Sequence, residues 1–190
     1  MNEKTTKPDW NDFDHDEKVA LISLYPEEGK KDQDWEVRIR AYYLLGFTEE
    51  SKKDEYWLIR LKTYESLGFT KEATKDKHEH IRLRAYRFLG FTPEAKKDSD
   101  QDIRFEAHSY LGFTEEGKKD KYWLIRLRTY QFLGFTKEAT KDTNRNIRLE
   151  AYRHLGFTEE AKKDEEEFIQ RQASIYLKHF RKRKEQGLIK

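Results

Sequence analysis

Three groups of side chains in this 190-residue chain could do chemistry: the pair His78 and His80, the basic run at 178–184, and carboxylates scattered along the whole length. Two imidazoles could serve a metal, but residues two apart on one helix turn to different faces. With no cysteine in the chain, no other ligand stands where it would complete a site. No metal and no cofactor are therefore expected. The serines lack a nucleophile-elbow context and no glycine-rich phosphate loop follows a strand, so the carboxylates are left to helix caps and solvated faces. The chain reads as a non-enzyme. The basic run is different, because Lys178, Arg181, Lys182, Arg183 and Lys184 could touch phosphates. A cationic helix end that complements its own dipole accounts for the same residues.

Composition narrows the setting. The 39 basic and 37 acidic residues nearly cancel to a net charge of +2, which gives little global attraction to nucleic acid or an anionic membrane. Absence of cysteine excludes disulfides and thiolate chemistry together. Residues 1–25 lack the apolar stretch of a signal peptide and no apolar run is long enough to span a bilayer, so a cytoplasmic protein without membrane contact is expected.

The elements that position these groups follow from a repeat. Leu-Gly-Phe-Thr returns six times at a spacing of 22 residues, starting at Leu45, Leu67, Leu89, Leu111, Leu133 and Leu155. Leu24, Tyr25 and Pro26 form a degenerate earlier copy, which makes seven repeats over 24–177. A longer period of 66 overlies it: residues 56–61 return at 122–127, as expected of a duplicated three-repeat block. Within each repeat the glycine after the leucine suits a helix end with positive φ, and the threonine hydroxyl is placed to cap the next helix. Acid then base across the next few residues complements the dipole of a helix of one to two turns. Asp54 and its equivalents then precede a helix of about three turns, in the second repeat from Tyr56 to Leu67. Neither helix would be stable alone, so stacking must hold them. The longer helix buries rows through Ile59, Thr63 and Leu67 and through Trp57, Leu61 and Tyr64, and leaves a narrow stripe at Leu58, Lys62 and Glu65. Asp14 with Glu17 reads as a capping box opening an N-terminal cap helix at 14–24. The last helix runs through Leu177 to about 185 as a C-terminal cap. Residues 1–11 are expected to be disordered, 12–185 to form a single repeat domain, and 186–190 to be a tail.

Asp, five residues, Arg, then an Ala-x-x-x-Leu-Gly ending resembles the second half of a HEAT repeat, and the 22-residue unit looks like that of uncharacterised bacterial and phage repeat proteins. The resemblance implies an all-α, right-handed α-α superhelix, a solenoid of seven HEAT-like repeats. It also implies a buried ladder along the stack that pairs Asp32 with Arg38, Asp54 with Arg60, Asp76 with Arg82, Asp98 with Arg104, Asp120 with Arg126 and Asp142 with Arg148. In the last repeat Gln170 replaces the arginine, and Asp164 is expected to lose its partner. The first helix of each repeat is much shorter than in ordinary HEAT repeats.

Function should fall on helix positions that vary between repeats and point outward. Those singled out are Tyr43, Trp57, Leu58, Lys62, Arg84, Arg87, Trp123, Leu124, Arg128 and Arg153. Mixed charge with aromatics suits a protein or peptide partner, so a binding scaffold acting as an adaptor or inhibitor is expected. Leu58 and Leu124 read as outward anchors; the two tryptophans serve either as anchors or as covers for the next repeat. The alternative is nucleic-acid binding through Arg84, Arg87, Arg128 and the basic run, since some HEAT-like DNA glycosylases bind duplex DNA. A monomer is favoured.

Overall fold

The computed structural model describes residues 9–186 and 188, and these form helices, turns and loops without a strand. The short helices are α1 (His15–Leu21) and α2 (Pro26–Gly29). Six eleven-residue helices come next: α3 (Trp35–Leu45), α4 (Trp57–Leu67), α5 (Glu79–Leu89), α6 (Gln101–Leu111), α7 (Trp123–Leu133) and α8 (Arg145–Leu155). The long α9 (Glu167–Glu185) closes the series. The chain is thus an all-α repeat protein. It divides into two compact units, one ending at Gly90 and one beginning at Phe91.

The connection between repeats is tighter than the sequence suggests. Instead of an α-helix of one to two turns, each repeat after α3 carries a 3-10 turn of three to five residues, such as Ala73–Lys75 or Glu115–Lys119. The threonine hydroxyls make no cap bond; the threonine carbonyl does the work, accepting the amide three residues on, as Thr70 does from Ala73 at 3.0 Å and Thr114 from Gly117 at 2.8 Å. The helix-ending glycines have positive φ, but Gly68, at φ 94 and ψ 143, lies outside the left-handed helical region, where asparagine could substitute. That extended conformation is open essentially to glycine alone.

A small residue on each 3-10 turn faces another twelve positions later on the following helix. Ala73 with Ala85, Ala95 with Ala107, Ala139 with Ala151 and Ala161 with Ala173 are all fully buried. From α4 to α9 each helix also buries one isoleucine: Ile59 and Ile81 in the first unit, Ile103, Ile125, Ile147 and Ile169 in the second. Each such side chain removed from water contributes about 1.5–3 kcal/mol.

Asp14 and Glu17 form the anticipated capping box, with bonds of 2.9 and 3.0 Å, although α1 stops at Leu21. Disorder expected over 1–11 falls largely on residues outside those described. Trp10, which is described, is buried against Phe13 and Tyr25, with ring centroids 6.2 and 5.9 Å away. Of the expected 186–190 tail, only Gln186 and Leu188 are described.

Arginine and aspartate do form a ladder, with a different pairing. Arg104 sends Nε and Nη2 to the two carboxylate oxygens of Asp120 in the next repeat, at 2.9 and 3.0 Å, while Nη1 reaches back to the backbone carbonyls of Asp98 and Ser99. The same forward fork joins Arg38 to Asp54, Arg60 to Asp76, Arg126 to Asp142 and Arg148 to Asp164. An arginine therefore takes only the main-chain oxygen of its own repeat's aspartate, as Arg38 does with Asp32 and Arg82 with Asp76. Asp164 keeps a partner after all, and Asp32, with no repeat before it, is held by Trp10 Nε1 at 2.7 Å and Lys18 at 3.0 Å. Each carboxylate also accepts the amide two residues on; Asp54 takes that of Tyr56, so it braces the turn before α4 while Tyr56 occupies the cap position. Burial pushes the Asp76, Asp120 and Asp142 carboxyls up. The arginine hydrogen bond, the amide and the guanidinium charge more than offset it and hold all three below the ordinary carboxylate value.

One rung differs in its surroundings. His108 occupies the place of Tyr64 and Tyr130, is 2% exposed, and its Nδ1 has no hydrogen-bond partner. Burial pushes this imidazole down, and the charge of Lys96 adds to the effect against Asp120 and Glu116. The unfolded chain therefore takes up a proton before the folded one does. Stability from His108 is complete above about pH 6.5 and falls as pH drops through the lower folded value. Thermal midpoints of the native protein and His108→Tyr should run parallel from pH 8 to 7 and diverge below 6.5, with the native protein losing more. Parallel curves down to pH 5 would refute it.

Candidate partner-binding surface

The residues singled out for binding fall into three environments. Leu58 and Leu124 are half-buried rather than outward: Leu58 lies against the cluster of Leu61, Tyr64, Ala73, Ile81 and Ala85. Helix stacking brings the neighbouring helix over positions that a single helical wheel leaves open. Trp57 lies flat on His78, with centroids 4.4 Å apart and planes at 15°, so it covers the edge of the following repeat. Trp123 lies against the cluster of Tyr130, Ala139, Ile147 and Ala151.

The cations form the second group, and acids or amides of the same surface meet most of them. Lys62 pairs with Glu65 at 2.7 Å, and Arg84 approaches the same carboxylate at 4.0 Å. Arg128 bonds Gln131 at 3.0 Å and Arg153 bonds Glu150 at 2.6 Å. Arg87 is exposed on α5. On α9, Lys178, Lys182, Arg183 and Lys184 are exposed, whereas Arg181 reaches Glu159 at 2.7 Å. A continuous basic track is not present among these residues of either unit.

The third environment holds Tyr43, 61% exposed, and leads to a feature that the sequence reading passed over. In the second unit Tyr110 and Phe132 are 69% and 67% exposed, and His154 and Tyr176 are exposed at the corresponding positions of the next two helices. Each rests on the phenylalanine of the preceding Leu-Gly-Phe-Thr: Phe91 lies 5.6 Å from Tyr110, Phe113 6.0 Å from Phe132, Phe135 4.6 Å from His154 and Phe157 5.5 Å from Tyr176. On the other side Phe113 stacks on buried His108, Phe135 on Tyr130 and Phe157 on Tyr152. The outer rings are thereby held by the core and open to solvent. The signal was available in the sequence as an aligned column, Leu44, Ser66, Phe88, Tyr110, Phe132, His154 and Tyr176, beside the invariant leucine of the repeat.

His78 and His80 also depart from expectation. His78 is the cap residue before α5, with extended backbone (φ −97, ψ 124), so the helical angle between positions two apart does not apply. The two rings lie 5.3 Å apart on one side of the chain.

Comparison with protein-family models, with curated proteins and with solved structures gives no match. Among the described residues no helix is long and apolar enough to cross a membrane.

Proposed function

We propose that the chain is a non-enzymatic scaffold that binds a protein or peptide, as an adaptor or as an inhibitor of a cellular complex, through the aromatic row of its second unit. One observation carries this reading: Tyr110 and Phe132 leave two thirds of their surface in water, although each is anchored beneath by a repeat phenylalanine. Single exposed apolar residues are ordinary, but exposed rings at the same position of successive repeats, each backed by a repeat phenylalanine, are the kind of surface that partners cover. Aromatic side chains also contribute area at little entropic cost, which is why they dominate binding hot spots. The resemblance to HEAT-like repeats points the same way. Self-neutralised cations such as Arg153 beside Glu150 favour a mixed protein surface over a run of phosphates.

Tyr110→Glu and Phe132→Glu test the surface, whereas glutamate at Leu58 would disturb the core and report on folding instead. With immobilised protein as bait and the captured partner quantified by mass spectrometry, each substitution should weaken capture about tenfold, roughly 1.4 kcal/mol. Stability should change by no more than about 0.5 kcal/mol, as for ordinary surface positions. Undiminished capture by the double variant would place the interface elsewhere. Filter binding to duplex and single-stranded nucleic acid at two salt concentrations covers the alternative through the α9 cations, for which tight binding at low salt and a steep salt slope are the required results.

A further inference from the structure

His78, Glu79 and His80 bring two imidazoles and a carboxylate together at the start of α5, with one ligand atom from each within 4.8 Å of the others. The Glu79 carboxylate sits between the rings, Oε2 3.7 Å from His78 Nδ1 and Oε1 3.3 Å from His80 Nδ1. Donor atoms around a tetrahedral ion with bonds of ~2.1 Å stand about 3.4 Å apart. Small side-chain rotations would therefore close the set on a shared ion.

Two features fix the set in place. The amide of His78 donates to Asp76 Oδ1 at 2.8 Å, and Asp76 is itself gripped by Arg60, so the ladder sets the backbone under the first ligand. From the preceding repeat Trp57 stacks on His78 at 4.4 Å and lies 5.7 Å from His80, which restricts both rings and shields one side. The bond that a metal at His78 Nδ1 would displace is a long one, 3.3 Å, from the His80 amide.

We propose that these three residues form a site for a divalent first-row transition ion, with water completing the coordination. Imidazole nitrogens beside one carboxylate suit zinc, nickel and copper, whereas magnesium and calcium favour all-oxygen sets.

The test uses the full chain without an affinity tag. Calorimetric titration with zinc sulfate at pH 7.5 should give one saturable event per chain, and copper chloride should quench the Trp57 share of the fluorescence in the same stoichiometry. His80→Ala should weaken both at least tenfold. Trp57→Phe should keep the calorimetric binding and lose the quenching, which separates this site from any other histidine. No saturable zinc binding, or binding that His80→Ala leaves unchanged, would overturn the proposal.

Discussion

Arg104→Ala is expected to lower the unfolding free energy by about 3–5 kcal/mol, the usual cost of stranding one member of a buried ion pair. Both side chains of the Arg104–Asp120 pair are almost wholly shielded from water, at 5% and 7% exposure. Truncation would leave the Asp120 carboxylate with one amide from Tyr122 as its remaining hydrogen bond, and would remove the guanidinium from the carbonyls of Asp98 and Ser99. Urea unfolding at pH 7 measures the loss, and hydrogen exchange should show it concentrated in α6 and α7, because repeat arrays unfold through their weakened joints. Arg104→Lys should recover only part of it, since an ammonium cannot reproduce the fork. The double change Arg104→Met with Asp120→Leu should recover more than either single one, since neither charge then remains buried. A loss under about 1 kcal/mol for Arg104→Ala would mean that the rung is ornamental. The sign with pH follows from the depressed carboxyls. Their stabilisation is complete above the ordinary value near 3.9 and disappears as pH falls through the lower folded values, so the native protein should unfold in acid below about pH 4.

Gly117→Ala should cost about 1–3 kcal/mol, although four other repeats carry alanine at that place. A methyl at Gly117 would stand 2.3 Å from Thr129 Oγ1 and 3.4 Å from His108 Cε1. Thr129 cannot swing aside, because its hydroxyl donates to the Ile125 carbonyl at 2.8 Å and rotation of a β-branched side chain would only exchange hydroxyl for methyl. Thr129→Ala in the same chain should restore stability, since the pair would then match Ala139 with Ala151. Alanine in place of glycine adds about 0.4–1 kcal/mol by restricting the unfolded chain. A coupling of at least about 1 kcal/mol in the double-mutant cycle is the expected reading; additive effects would mean that the two positions do not share the space. The second repeat solves the same problem differently, with Thr63 donating to Ser51 at 2.8 Å.

What could be read from the sequence was whatever lies within about one turn of its cause. Leu-Gly-Phe-Thr marks the helix ends because glycine punctuates locally, and the Asp14–Glu17 box opens α1 for the same reason. Contacts that depend on stacking were beyond that reach. Arg104 and Asp98 share a repeat, so they look like a pair, yet the carboxylate that the guanidinium meets lies 16 residues ahead and becomes its neighbour only when repeats stack. Leu58 appears outward on its own helix and is covered by packing from the next repeat. Phe132 was passed over for the opposite reason, since an aromatic beside an invariant leucine reads as core until the neighbouring helix is seen to leave it bare. His78 was misplaced by assuming helical angles for a residue that precedes the helix.

Because the fork always reaches forward by 16 positions, the joint does not record which copy supplies either half. Excising the 22 residues 120–141 would hand Arg104 to Asp142 at unchanged separation along the chain, and inserting a further copy would do the same in reverse. Length can thus change by whole-copy gain or loss with no mismatch at the seam, and an echo at 66 residues, as between residues 56–61 and 122–127, is the pattern that gain of three copies together would leave.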